Sequence, residues 1–292
     1  MKVIMCNDDI GLTFGFTEAI KDTFLKGTSS STSIRTNGTA YKYAVRLLKT
    51  NLKSIGLGIH LNLVDGKSHT ANLANQSGNY KFNFLHYLLL CRNKSVLADI
   101  EVELDYQFQK VLKDGLKIDH ASGHCHTYAI PAIFEIVCRL CKKYNIKSIR
   151  LLQEPFYTTE SITKNITPFF NLNIIKFFLL RSFNKQNRAT LKKYKLTTTN
   201  AFYGVLYTNT MSFQTIKAAL NDAKKKGFRT IEILIHPAYS KDPRDKTYTS
   251  RIIKNYVGLK ARRIETTTIQ SKEMKNILSS TGIELSTYGN LY

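Results

Sequence analysis

Apolar positions along the chain fall into short runs separated by longer amphipathic stretches. Lys2–Cys6, Ser33–Thr36, Ile55–Leu61, Ile118–Ser122, Lys147–Leu151 and Thr230–Ile235 read as strands. Between them, Thr17–Lys26, Ala40–Leu48, Ser95–Leu112, Pro131–Tyr144 and Ser212–Lys226 read as helices. The clearest is Ser95–Leu112, where Val96, Ile100, Leu104 and Phe108 recur at helical spacing. Gly27 and Gly227 supply stops, and Pro131 suits a first turn. Residues 66–84 are polar and read as a long loop. The rhythm breaks over about 153–199, which reads as an insertion or lid within one domain spanning 1–292. Two more helices are expected near Ser250–Arg263 and Ser271–Ser280.

Short strands alternating with helices predict an α/β protein with a mostly parallel sheet. The polar residues then take on a pattern. Asp8 and Asp9 follow the first strand, and His60 ends the third. His124, Arg150 and His236 stand just after or at the ends of later strands. All lie at carboxyl ends, the rim where α/β folds build active sites.

Acids and imidazoles gathered on one rim can hold one divalent cation; this donor set suits zinc, and carboxylate with water also suits magnesium. In an extended chain Asp8 and Asp9 face opposite ways, so one can ligate while the other serves as general base. A histidine such as His236 could protonate a leaving amine. His124 and His126 would share a face of an extended segment, with His120 behind them. These parts together make an amide hydrolase.

The same residues sit in motifs. NDDIGLTFGFTEAI, GLGIHLNLVDGK, HASGHCHTYAIPAIF, IRL, AFYG and IEILIHPAY follow one another from Met1 to about Tyr239. In this order they resemble the signatures of the YdjC-like carbohydrate deacetylases, the family of chitooligosaccharide and hopanoid-associated deacetylases. The resemblance implies a distorted, TIM-like (β/α) barrel and one divalent metal ion, usually Mg2+ and sometimes Zn2+. It implies Asp9, His60 and His124 as ligands, with Asp8 as base and His236 as the catalytic histidine. Arg150, His126 and Tyr203 would meet an acetylated amino-sugar substrate. Ser122 stands where the family has an aspartate behind the metal-site histidine; Asp119 is the acid that could substitute.

Composition changes the picture in two ways. The 292 residues carry 43 Lys+Arg against 21 Asp+Glu, a formal charge of +22, which favours acidic partners. The cations are scattered, and no RNP-type aromatics, zinc-finger spacing or P-loop point to nucleic acid. The apolar and then basic residues of 169–195 allow an amphipathic element at an anionic membrane, a lid or a dimer contact. Five cysteines and a first segment without the form of a secretory signal lead us to expect the cytoplasm. Cys138 and Cys141 lie one turn apart on an apolar helix face and are expected in the core rather than in a redox or zinc pair.

Overall fold

The computed structural model describes residues 1–159, 172–245, 251–280 and 282–291. Strands and helices alternate in the expected order: β1 Lys2–Ile10, α1 Phe14–Lys26, β2 Ser31–Ile34, α2 Tyr41–Thr50 and β3 Gly56–Leu61. There follow α3 Phe84–Leu90, α4 Lys94–Lys113, β4 His120–Gly123, α5 Pro131–Lys143, β5 Ser148–Ile149 and α6 Leu172–Tyr194. The chain continues through β6 Ala201–Tyr203, α7 Phe213–Lys225, β7 Thr230–Ile235, α8 Arg251–Val257, α9 Lys260–Gln270, α10 Lys272–Ser280 and β8 Glu284–Leu285.

The strands pair in parallel in the order β5-β4-β3-β2-β1-β7-β6, with β8 added to the start of β1. This sheet curls into a partly closed TIM-like barrel. At its edge strand β5, a parallel bridge joins Ser148 to Thr197, in the segment that leads into the other edge strand β6.

Two expectations are corrected in detail, and one strand is added. The first of the two C-terminal helices is split at Gly258-Leu259 into α8 and α9, because Leu259 is extended rather than helical. The stretch read as an irregular insertion contains the 23-residue α6, whose apolar first half and basic second half hid a single helical period. Strand β6 has three residues, too few to show alternation.

Side-chain parity decides what faces the barrel axis. On β1, Val3 and Met5 join the core cluster that packs against α7, whereas Ile4 and Cys6 point inward onto Tyr288. Asp8 continues the inward set. On β3, Leu57, Ile59 and Leu61 pack outward, leaving Gly58 and His60 inward. Gly58 is required there, because an added Cβ would come within 2.4 Å of the His120 ring. Cys138 and Cys141 are buried in the core, as expected. Burial pushes the Cys138 thiol up to about 12, so it is inert. Among the described residues no helix is long and apolar enough to cross a membrane.

Candidate metal centre and hydrolytic site

Parity brings Asp8, His60, His124 and His236 to the inner rim, where all four line one cavity with His126, Lys176, Thr208, Tyr256 and Arg262. Asp9 should point away, but the strand is irregular there. The β1–β2 register shifts between Asn7 and Ile10, and Asp9 adopts φ 72°. This bulge turns Asp9 inward as well. Left-handed backbone at a non-glycine residue costs roughly 1–3 kcal/mol and is retained mainly at functional sites.

Asp9, His60 and His124 each offer one ligand atom, and these atoms lie within 4.8 Å of one another. Asp9 Oδ1 is the shared point, 3.6 Å from His60 Nε2 and 3.3 Å from His124 Nδ1. It is buried without a hydrogen-bond partner, with Arg35 Nη1 at 3.5 Å as a longer ion-pair contact, and a cation between the imidazoles would complete it. Asp9 Oδ2 accepts from Tyr256 Oη at 3.1 Å. The donor set therefore fits a divalent ion.

The tautomer of His60 is set by its neighbours. Ser33 Oγ donates to Asp8 Oδ1 at 2.8 Å and lies 3.0 Å from His60 Nδ1. The one hydroxyl proton goes to Asp8, so Nδ1 carries the imidazole hydrogen and Nε2 is bare toward Asp9. Ser122 Oγ lies at 3.0 Å on the same Nδ1. Burial lowers the His60 pKa to about 4, against the pull of Asp8 and Asp9, so the ring is neutral as a ligand must be.

His124 behaves differently. Burial opposes its protonation, but the negative charges of the Cys125 thiolate and Asp9 outweigh that and raise it to about 10. A cation must displace this proton. Metal uptake at neutral pH should thus release about one proton, and affinity should rise about tenfold per pH unit between roughly 7 and 9. Calorimetric titrations in two buffers of different ionisation enthalpy check this; affinity that falls with pH would contradict it.

The expected Asp119 support of His124 is not found. Asp119 Oδ1 pairs with His120 Nδ1 at 2.6 Å, and Asp119 Oδ2 accepts from Gly289 N at 3.1 Å. The acid beside His124 is Asp65, whose Oδ2 is 3.6 Å from Nε2 and whose Oδ1 holds Arg35 at 2.9 Å. His120 stacks on Tyr288 below the site, with ring centroids 4.3 Å apart. Nor is the 124–126 segment extended. Cys125 and His126 have φ 51° and 58°, and this tight curl, not strand alternation, brings His126 to the cavity beside His124.

Asp8 is 1% exposed and gripped from behind. Arg150 donates to its two oxygens at 2.6 and 2.8 Å, and to Glu232 at 2.7 and 3.0 Å. Burial pushes the Asp8 carboxyl up, but the charges of Arg150 and His60 prevail and hold it well below the usual carboxylate range. Arg150 was expected to meet substrate. It is fully buried and occupied by these two acids, so it acts on Asp8 instead. Arg150→Met would leave two buried carboxylates unmatched and should cost about 3–5 kcal/mol in denaturant unfolding. Tyr203 is also displaced from its expected role. Its hydroxyl donates to Asp222 of α7 at 2.9 Å, in the outer layer.

His236 is tied by its backbone N–H to Glu265 Oε2 at 2.6 Å. Burial, reinforced by Arg262, lowers its pKa to about 3. Burial raises the Glu265 carboxyl to about 7. Sequence reasoning missed Arg35, Asp65, Tyr256, Arg262 and Glu265. It also missed Glu232, although an acid inside the apolar run TIEILI was a readable signal of an inward charge.

Comparisons with known proteins identify relatives of the chain. A carbohydrate deacetylase of Clostridium beijerinckii is 32% identical over 179 residues, covering 60% of this chain and 72% of that one. A carbohydrate deacetylase of Listeria welshimeri aligns along 100% of both chains at 25% identity. A crystal structure from Enterococcus faecalis, described as a candidate cellobiose-phosphate cleavage protein, superposes with a TM-score of 0.74 at 20% identity, over 99% of this chain and 98% of that one. The profile of the YdjC-like proteins matches residues 2–280, and the chain belongs to that family.

Proposed function

We propose that this protein is a metal-dependent hydrolase that removes the N-acetyl group from an acetylated amino sugar. The carrying observation is the buried Asp9 Oδ1, without a hydrogen-bond partner between two imidazoles, close to an ionised carboxylate and a neutral histidine that line one cavity. The names carried by its relatives support the substrate class.

Asp9, His60 and His124 would hold the cation. Two imidazoles and one carboxylate suit Zn2+ or a similar transition ion better than Mg2+, which keeps mainly oxygen ligands. Such an ion supplies Lewis acidity toward the amide carbonyl and lowers the pKa of water.

The chain's own groups handle the protons. Asp8, ionised throughout the working pH range, accepts a proton from the attacking water. Its low proton affinity makes it dependent on a cation that acidifies that water. Arg150 and Ser33 fix both carboxylate oxygens, so the geometry is set before substrate arrives. The proton that Asp8 takes from the water passes to His236, which starts neutral, and His236 delivers it to the leaving nitrogen, so that both groups return to their initial state.

The test compares acetate release from N-acetylglucosamine oligomers with phosphate release from a phosphomonoester. Acetate should dominate; phosphate release alone would overturn the reading.

A second reading keeps the chemistry but takes a lipid-linked sugar. It is favoured by Leu85 and Leu89 on α3 and Ile175 and Phe178 on α6, exposed on two of the helices that pack on the 124–129 turn. Sedimentation with anionic vesicles separates the two, since only a membrane-docking protein pellets with them.

A further inference from the structure

His236 must gain a proton in the proposed cycle, yet its surroundings resist a positive ring. Burial and the charge of Arg262 lower its pKa to about 3. An imidazolium formed there needs an acceptor for its second N–H and a charge to offset it. Glu265 on α9 is placed to supply both. It is 1% exposed and stands outside the cavity lining. Its Oε2 accepts from the His236 backbone N–H at 2.6 Å and lies 4.0 Å from His236 Nδ1. Among the described residues no other carboxylate comes as near to this ring. With Nδ1 on the Glu265 side, Nε2 is the nitrogen left for the cavity that the ring lines.

Two features make this carboxylate more than a partner for a backbone N–H. Its Oε1 is buried without a hydrogen-bond partner among the described residues, so acceptor capacity is held in reserve beside the ring. It is also fixed in place by Arg262, one turn earlier on α9. Arg262 Nη1 lies 3.3 Å from Oε2 and donates to the His236 carbonyl oxygen at 3.2 Å. The guanidinium in turn sits over the Tyr256 ring, 4.5 Å from its centroid. Burial raises the Glu265 carboxyl to about 7 against the pull of Arg262, which makes it a stronger acceptor than an exposed carboxylate.

We infer that Glu265 is a positioning residue for His236: it holds the Nδ1 hydrogen, keeps Nε2 bare to take and pass on a proton, and offsets the imidazolium that forms. The inference rests on the deacetylase reading, in which His236 protonates the leaving nitrogen. The Nδ1 hydrogen stays on the ring throughout. The proton that Asp8 took from water arrives at Nε2 and leaves from Nε2 to the amine. The 4.0 Å gap closes as the ring turns positive and the carboxylate draws it in.

The test uses the full, Zn2+-loaded chain as wild type, Glu265→Gln and Glu265→Asp. Glutamine keeps the volume, but its one oxygen is taken by the backbone N–H and it turns a donor toward Nδ1. Aspartate keeps the charge on a shorter stem. Acetate release is measured on N-acetylglucosamine oligomers, whose leaving amine needs a proton, and on 4-nitrophenyl acetate, whose leaving phenolate needs none. Glu265→Gln should lower kcat on the sugar roughly 100-fold, with KM changed less. Its sugar-to-ester ratio of kcat should fall about tenfold or more below that of wild type, and Glu265→Asp should restore part of it. A loss shared equally by the two substrates is what a merely structural role produces and would overturn the inference, as would undiminished turnover of the sugar. The ring is read separately in 1H–15N spectra of His236. Wild type should carry its hydrogen on Nδ1, and Glu265→Gln should move it to Nε2. A bare Nδ1 in wild type, or the same tautomer in both proteins, would sink the inference. If wild type releases no acetate from any sugar, the deacetylase reading fails. The ring spectra then decide whether Glu265 sets the tautomer, as they do if the ester goes uncleaved.

Discussion

Asp8→Asn should reduce acetate release by about 10²–10⁴-fold while the protein still binds its cation. The substitution keeps the side chain's volume and removes only its charge and its ability to accept a proton. Asp8 stands apart from the ligand atoms, its closest approach to His60 being 3.7 Å at the Nδ1 that faces away from Asp9. Arg150 retains Glu232 at 2.7 Å, so the variant does not leave that guanidinium without a counter-ion. Steady-state acetate assays beside metal analysis of the same preparation separate the two effects. Wild-type turnover in Asp8→Asn would remove Asp8 from the role of base; lost metal would move it among the ligands.

The opposite pattern is expected at Asp9 and His60. Asp9→Ala or His60→Ala should weaken cation binding by on the order of 100-fold or more, since even residues that merely orient a ligand cost 10–100-fold. Asp9 is the more telling position, because both imidazoles approach its one oxygen that has no hydrogen bond. Its removal leaves Arg35 with Asp65 at 2.9 Å, which limits the damage to the fold. Activity should fall with occupancy and return in part at high metal concentration. Equilibrium dialysis against a metal buffer measures the first effect, and acetate release under the same conditions the second. Unchanged affinity in both variants would place the ion elsewhere.

Much of the site was legible because strand alternation is a strict code. Once β1, β3, β4 and β7 were recognised, period two and their carboxyl ends placed Asp8, His60, His124 and His236 on one rim. Asp9 was not legible that way. Alternation turns it outward, and only the family resemblance made it a ligand; a bulge at φ 72° is the physical reason the resemblance holds. His126 reached the cavity by a different local geometry from the one expected, two consecutive left-handed residues in place of an extended strand. Arg150 and Tyr203 show the limit of motif transfer. Both lie in matching motifs, yet one is sealed beneath Asp8 and the other bonds to Asp222 on the outer layer. Tyr256, Arg262 and Lys176 come from helices that carry no motif, and nothing local in their sequence marks the pocket they enter. Such contacts between distant segments follow from closure of the barrel, which no short window of sequence encodes.

The most direct measurement is reconstitution. Protein stripped of metal by a chelator should release no acetate from N-acetylglucosamine oligomers, and activity should climb linearly with added Zn2+ and level off at one equivalent per chain. Full activity in the stripped protein, or a rise that ignores stoichiometry and survives Asp9→Ala, would contradict the account.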